Sequence, residues 1–469
     1  MNVQSELPTD QTRQPNAAKA AASGPAVSRR GFLSRAAVLA SASVAAPSVV
    51  RAGDSVGDVL GKAIASADTD RRGKALRARL LAAKASLDLS APVSHPVNAD
   101  ESLPGFPGSF SKALGHDAEG NVTPASYTLL RTACLSGREV DFAAVPIAGA
   151  AKLANPQAGW AFSLEGGDPF DFTVRAAPSV TSAETAGEMV ELYWHALLRN
   201  LNFADYGKDA DAQAASVDLS LLSTFLGPKV ASIAGPVVTP DTLFRGSFAG
   251  CVGGPYVSQF FYKDIPTGPL KYPQKYPVPA PTADHMTTVA EWLAVQNGAA
   301  RSGPAVAGRR YLINARDLGE FVHKDFSYQA FLNAALILLG INNPTTGAKY
   351  ALNPGNPYLR YANQGGFATF GAPHVLDQVA RVAVEALRAV WCQKWRFHRR
   401  LRPEEFGGRV QFTGALNKYG LHGDVLNSEA LGRIRAINGT ALLPQAYAEG
   451  CPIHPDRKST RLNSSHANI

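Results

Sequence analysis

Three basic side chains stand at regular spacing near the end of the chain: Lys394, His398 and Arg402. Steps of four residues carry a side chain only about 40° around a helix axis, so the three would share one helix face. The preceding segment, 375–390, has valine and alanine at helical spacing, which predicts a helix packed against the core. Pro403 disfavours helical geometry in the residue before it, so we expect the helix to end at Arg402.

Two fixed cations, Lys394 and Arg402, would therefore project from the end of a buried helix. A buried cation is costly unless an anion meets it, so this pair is suited to holding a small oxyanion. A solvated basic turn has the same composition, because lysine and arginine interact favourably with the dipole at a helix C-terminus. Spacing alone leaves both interpretations open. Arg399 is expected to lie away from the oxyanion-facing side.

The rest of the chain reads as mainly helical. Residues 71–87 predict a basic amphipathic surface helix with three leucines turned inward: Leu76, Leu80 and Leu87. Thr181 and Glu184 form a capping-box pattern that would open a further helix. Residues 310–339 again predict a helix. Its second part, 331–339, is apolar on nearly every side, which is typical of a helix buried on most sides.

Proline and aromatic residues dominate residues 250–286. Six prolines occur between positions 266 and 281, and proline fixes φ and lacks the backbone N–H. This density excludes a helix or a central strand. Two interpretations remain open: an aromatic loop at the mouth of a pocket, or a long arm that wraps the surface or a neighbouring subunit.

The chain has 469 residues and a formal net charge of +8. Much of this charge lies at the ends, with six lysines and arginines against two acidic residues within 1–52, and three against one within 456–469. The remaining body carries +2, which gives no reason to expect nucleic-acid binding. The cysteines are scattered without metal-binding spacing, and we predict no metal-ligating residues.

The N-terminal region has the parts of a twin-arginine export signal. Arg29 and Arg30 are adjacent, a weakly apolar run follows over 36–50, and small residues precede a cleavage point after Ala52. The run is too short to span a membrane, and no other stretch is long and apolar enough to do so. We therefore expect export of the folded protein to the periplasm or beyond, rather than a disordered basic tail.

Three of the nine histidines outside the cation motif are His95, His116 and His195. The first two each lie near a carboxylate in sequence, but none has a second histidine or cysteine nearby to complete a metal site. We interpret His95 and His116 as structural. His195 is a lone histidine in a predicted helix, with a packing or surface role.

The stretch around the cation pair, 390–410, resembles the vanadium-dependent haloperoxidases of the bromoperoxidase type, found in algae and bacteria. The eight-residue offset from Lys394 to Arg402 and the ending Arg-Pro-Glu-Glu-Phe-Gly-Gly favour this branch. Type-2 phosphatidic acid phosphatases, in the same superfamily, usually have one residue fewer between the cations. The resemblance covers roughly residues 70–455, including 187–194, 254–260 and 366–371. It implies a mainly α fold in which two helical bundles frame a vanadate pocket.

The resemblance also implies a cofactor and a reaction. In this family one histidine nitrogen holds vanadate, and Lys394 and Arg402 match the lysine and arginine that bind its oxygens. His454 matches a pocket histidine and is the catalytic candidate of this chain. The implied substrates are hydrogen peroxide and bromide, which leaves as hypobromous acid or its equivalent. A homo-oligomer is a further expectation.

The end of the chain departs from the family pattern. The family motif reads His-Pro-x-Tyr-Pro-Ser-Gly-His, whereas this chain reaches His454 and Pro455 and then continues with 456–469. That continuation matches the translation of a sequencing-adapter oligonucleotide. The serine, the glycine, the second arginine, the catalytic histidine of the motif and the metal-ligating histidine are absent. His466 does not replace either histidine.

These observations predict three parts: a twin-arginine leader over 1–52, an incomplete haloperoxidase helical domain over 53–455, and a non-biological tail over 456–469. The helical domain would lack its C-terminal active-site helices. The parent protein is predicted to be an exported, vanadium-dependent bromoperoxidase, and this chain an inactive, truncated fragment of it. Two alternatives remain: an acid phosphatase of the same superfamily, since vanadate and phosphate share shape and charge, or a non-catalytic oxyanion-binding fragment.

Overall fold

The computed structural model describes residues 56–66, 70–88, 93–163, 165, 167–248, 250–300, 306–326, 328–341 and 355–448. The predicted leader, His454 and the predicted tail lie outside these residues. Two compact units divide between Pro92 and Val93.

In the described part of the first unit, α1 (Val56–Ser66) packs against α2 (Arg71–Asp88). Leu60 and Ile64 are buried side chains of α1. Helix α2 confirms the predicted helix, but of the three leucines predicted to turn inward, Leu76 and Leu80 are half-buried and Leu87 is exposed.

The second unit is built mainly from helices, which confirms the mainly α prediction. Its α-helices within the described ranges are α3 (Pro124–Ser136), α4 (Glu139–Ala143), α5 (Ala183–Leu198), α6 (Ala210–Leu221), α7 (Val289–Gln296), α8 (Ala315–Lys324), α9 (Gln329–Gly340), α10 (Ala372–Cys392), α11 (Pro403–Phe412), α12 (Gly423–Leu426) and α13 (Glu429–Asn438). Short 3₁₀ turns join several of them.

The proline-rich region contributes short strands to two small sheets. Strand β1 (Ile265–Thr267) pairs antiparallel with β2 (Leu270–Tyr272), and β3 (Tyr276–Pro279) pairs antiparallel with β4 (Val306–Arg310). Each sheet has two strands, so each strand is an edge strand, where proline is tolerated. As predicted, the proline-dense residues form neither a helix nor a central strand.

The largest core lies where α5 packs against α6, α12 and α13. Asp218 ties three of these helices together, because it accepts hydrogen bonds from the indole of Trp194 (2.8 Å) and from the backbone N–H groups of Glu429 and Ala430. Buried apolar residues of this core include Val190, Tyr193, Leu219, Val425, Leu431 and Ile434.

Helix α5 begins one residue later than the capping pattern predicts. The hydroxyl of Ser182 accepts the backbone N–H of Thr185 at 3.1 Å, so Ser182 is the N-cap. Glu184 instead pairs with Arg175. The capping box assigned to Thr181 is therefore wrong, because Ser182 reaches the free N–H of the first turn.

The prediction of one helix over 310–339 is wrong, because β4 ends at Arg310 and α8 and α9 are separate helices. The predicted burial of two apolar side chains is wrong as well. Phe331 of α9 is 46% exposed and Val382 of α10 is 67% exposed. Helical periodicity shows that a face can be buried, but not that a partner covers it. The described residues cover the apolar faces of α9 and α10 only in part.

Candidate oxyanion-binding site

The segment that carries the cation pair does not run as one helix. Helix α10 ends at Cys392, and Gln393–His398 form a short π-helical turn. Arg399 then has a φ of 23°, a conformation that ordinary side chains rarely adopt, and the helical path ends there. Arg402 has extended backbone angles, as expected for the residue before Pro403, and is the N-cap of α11. The predicted continuous helix to Arg402 is therefore wrong.

A loop from the first half of the chain holds this turn. The backbone N–H of Phe110 donates to the carbonyl of Arg399 at 2.7 Å, and that of Leu401 donates to the carbonyl of Gly108 at 3.2 Å. The buried Arg399 side chain pairs with Glu101 through Nε and a terminal nitrogen. Arg399 is therefore a structural cation that stabilises the turn.

Both predicted oxyanion ligands are buried. Lys394 lies in the π-helical turn with 0% of its surface exposed, and its Nζ stands 5.1 Å from the centre of the Trp391 ring. Arg402 is also 0% exposed, and its Nε lies 3.8 Å from Oε2 of Glu404. A solvated basic turn is contradicted, because neither cation faces solvent.

A third buried cation, Lys112, joins the site from a distant part of the chain. Its Nζ lies 3.1 Å from Oε1 of Glu404, and at most 1% of either side chain is exposed. Glu404 thus meets Lys112 with one oxygen and Arg402 with the other. Sequence reasoning missed Lys112, because 292 positions separate it from Glu404 and no local pattern marks it. Glu404 could have been found from the sequence, because it is a carboxylate two positions after Arg402.

Glu405 fixes the start of α11. Its Oε2 accepts the backbone N–H of Arg402 at 2.7 Å, while its Oε1 accepts the backbone N–H and the hydroxyl of Ser111 at 2.8 and 2.9 Å. Ser111 precedes Lys112 in the chain. One carboxylate therefore ties the backbone of Arg402 to the loop that carries Lys112.

Burial affects the two carboxylates differently. Burial by itself raises the pKa of Glu404, but the Lys112 ammonium and the Arg402 guanidinium outweigh it and hold that pKa below its usual value. Burial dominates at Glu405 and raises its pKa, although the N–H groups of Arg402 and Ser111 act in the opposite direction. Glu404 is therefore ionised at neutral pH, with cations on both of its oxygens.

His95, His116 and His195 have structural roles, as predicted. Nε2 of His116 lies 3.0 Å from the hydroxyl of Ser111, and burial lowers the pKa of His116 to about 4, so its ring is neutral at pH 7. His95 stacks on Phe397 with ring centres 3.8 Å apart, and burial lowers its pKa too. His195 is buried and packs edge-on against an aromatic ring.

Each of the three buried cations has the chemistry of an oxyanion ligand. Lys394, Arg402 and Lys112 are buried, and ammonium and guanidinium groups form strong charged hydrogen bonds to phosphate-like oxygens. In the part of the chain that the structure describes, no group of three or more His, Cys, Asp or Glu side chains could hold a metal cation. The role predicted for His454 stays a prediction, because that residue lies outside the described ranges.

Two relatives with the same printed name match most of this chain in sequence. It is 31% identical to a vanadium-dependent bromoperoxidase of Ascophyllum nodosum over 417 residues, which cover 85% of this chain and 73% of that relative. It is also 31% identical to the vanadium-dependent bromoperoxidase of Corallina pilulifera, over 77% of this chain and 73% of that relative. No family model matches the chain.

A solved structure shares the fold. It is the homohexameric second vanadate-dependent bromoperoxidase from Ascophyllum nodosum, with a TM-score of 0.75 and 27% identity over 89% of this chain and 71% of that chain. Fold and site together define a mainly α protein with a buried lysine–arginine–glutamate site. The identity shared with the relatives is more specific. The chain belongs to the vanadium-dependent bromoperoxidase family.

Proposed function

We propose that the function of this protein is haloperoxidase chemistry with vanadate as cofactor, in which hydrogen peroxide, bromide and a proton give hypobromous acid and water. The observation that carries this proposal is the complete burial of Lys394 and Arg402 in the stretch that resembles the bromoperoxidases. Anionic groups stabilise cations that the fold keeps from solvent, and a multiply charged oxyanion is such a group.

Each residue of the proposed site has a role that its position supports. Lys394 and Arg402 donate charged hydrogen bonds to vanadate oxygens, and burial keeps competing water away from both. Glu405 holds the backbone of Arg402, and the Trp391 ring lies beside Lys394. Bound vanadate supplies Lewis acidity toward peroxide. His454 is proposed as the pocket histidine.

We further propose that the 469-residue chain does not complete this reaction alone. Its sequence contains no Pro-Ser-Gly-His motif. In the vanadium-dependent bromoperoxidases this motif supplies a hydroxyl, an amide and a second histidine. The division into a leader over 1–52, an incomplete helical domain over 53–455 and an adapter-derived tail over 456–469 likewise remains a proposal.

Phosphate-ester hydrolysis is the competing function, because the same buried cations suit phosphate as well as vanadate. The two are separated with the chain joined to the C-terminal segment of the Ascophyllum relative. We expect vanadate-dependent bromination of a phenolic dye and no hydrolysis of p-nitrophenyl phosphate above background. Hydrolysis without bromination would establish the phosphatase instead, and binding without either activity would leave an oxyanion-binding protein.

Export through the twin-arginine route is proposed from Arg29 and Arg30. Replacing both by lysine (Arg29→Lys with Arg30→Lys) is expected to hold the precursor in the cytoplasm, because paired arginines are the recognised feature of this signal. Immunoblots of periplasmic and cytoplasmic fractions measure the outcome, and undiminished periplasmic protein would refute the signal. No described helix is long and apolar enough to cross a membrane.

A homo-oligomer is proposed from two observations. The similar solved structure is described as homohexameric. In addition, Val382 on α10 and Phe331 on α9 present apolar surface to solvent. Sedimentation velocity measures the assembly, and a monomer across all concentrations would rule it out.

A further inference from the structure

We infer that Glu404 is a positioning residue: its carboxylate holds the Arg402 guanidinium in the orientation that binds an oxyanion, and Lys112 holds Glu404 in turn. This inference rests on the proposed function, because it assigns roles within the same site. Glu404 is not expected to touch the oxyanion, and it acts through Arg402.

The geometry of Glu404 supports a bridging role. Its Oε1 lies 3.1 Å from Nζ of Lys112, which is hydrogen-bonding distance. Its Oε2 lies 3.8 Å from Nε of Arg402, which is an ion-pair contact. All three side chains are buried, so solvent does not screen these contacts. Glu404 therefore connects two cations that the sequence places far apart.

The backbone of Glu404 is also held in place. Its carbonyl accepts the indole N–H of Trp292 at 2.8 Å. The Trp292 ring lies so close to Gly120 and Gly408 that a Cβ at Gly408 would come within 1.9 Å of it. The ring therefore has little room to shift. A fixed carbonyl together with the Lys112 contact leaves Glu404 a rigid support for Arg402.

Two electrostatic effects of Glu404 oppose each other. A carboxylate orients the guanidinium and lowers the entropy that Arg402 loses on binding an oxyanion. The same carboxylate repels an approaching oxyanion. The Lys112 ammonium reduces the repulsion, because its charge offsets that of Glu404 while the contact between Glu404 and Arg402 stays intact. Glu404 contacts the guanidinium of Arg402 at Nε. Arginine binds oxyanions best through two neighbouring N–H groups of its planar guanidinium.

The test compares Glu404→Gln with the unaltered 469-residue chain. Thermal unfolding is followed with and without orthovanadate, and with inorganic phosphate as a second probe, because a ligand that binds the native state raises Tm. We expect Glu404→Gln to weaken binding of both probes about tenfold, the low end for partners that orient a binding residue. In an Arg402→Lys background the same substitution should change affinity no further, because the oriented guanidinium is gone.

Glu101→Gln is the matched control. It breaks the pair between the half-buried Glu101 and the buried Arg399 without touching Arg402. We expect it to lower Tm and to leave the response to vanadate unchanged. If Glu404→Gln does not fold, Glu404→Asp takes its place, because it keeps the buried charge but moves the carboxylate away from Arg402, and it should also weaken binding.

Three outcomes would overturn the inference. Glu404→Gln could lower Tm yet bind vanadate as the unaltered chain does, which means a purely structural role. It could bind vanadate more tightly, which means that repulsion outweighs positioning. If neither probe raises Tm, either for the unaltered chain or for the chain joined to the C-terminal segment of the Ascophyllum relative, the proposed oxyanion site itself fails, and the inference fails with it.

Discussion

The 469-residue chain supplied with vanadate, hydrogen peroxide and bromide is expected to show no vanadate-dependent bromination. Its buried cations attract an oxyanion, but its sequence has no Pro-Ser-Gly-His motif to supply the second histidine. Removing one member of a set of catalytic groups that act together lowers the reaction rate on the order of 10³-fold or more. Absorbance of a brominated phenolic dye measures the rate, side by side with the Ascophyllum relative.

The matched control is the same chain joined after Pro455 to the C-terminal segment of that relative. It is expected to show vanadate-dependent turnover, because the segment supplies the groups that we propose the 469-residue chain lacks. Robust turnover by the 469-residue chain itself would contradict both the incomplete ligand set and the adapter-derived tail. If both proteins bind vanadate and neither brominates the dye, the result would contradict haloperoxidase chemistry.

The second large effect is expected at the two buried cations. In the chain joined to the C-terminal segment, Lys394→Ala and Arg402→Ala should each weaken vanadate binding tenfold or more. A hydrogen bond to a charged group contributes roughly 1.5–3 kcal/mol, and about 1.4 kcal/mol corresponds to a factor of ten. Neither side chain is exposed, so screening does not reduce the effect. Isothermal titration calorimetry with orthovanadate gives the affinity, and bromination should fall in parallel.

Arg388→Ala is the control for these substitutions. Arg388 lies on α10 before the π-helical turn, is partly exposed, and pairs locally with Glu385 at 2.8 Å. Its removal should leave vanadate affinity unchanged. Arg399 is a poor control, because its loss leaves Glu101 without its buried partner and lowers stability. Equal losses from Lys394→Ala, Arg402→Ala and Arg388→Ala would show that the site lies elsewhere.

The two cations and the family were predictable because their signals are local. The lysine, the Arg-Pro pair and the acidic residues after it lie within one short stretch. Pro403 imposes extended geometry on Arg402, so the non-helical backbone of Arg402 was predictable too, although the preceding helical path already ends at Arg399. The path between the cations was not. The positive φ of Arg399 accompanies contacts with Glu101 and Phe110, nearly 300 positions earlier in the chain.

Burial was the other feature that local patterns did not predict. The spacing of apolar residues identified the helices α9 and α10, yet Phe331 and Val382 are exposed. Conversely, nothing in the basic stretch required Lys394 to be shielded from water. Periodicity describes one helix at a time, whereas solvent exposure depends on which other elements pack against it.

Residue types and short-range spacing by themselves determined that the protein is mainly helical, that Pro403 keeps Arg402 out of helical geometry, and that Lys394 and Arg402 are its oxyanion candidates. Backbone preferences and motif identity act over a few residues, so they can be read in order along the chain. Only the tertiary structure brought Lys112 to Glu404 and completed the connection to Arg402. That contact joins residues 292 positions apart, and such a meeting depends on how the intervening helices pack.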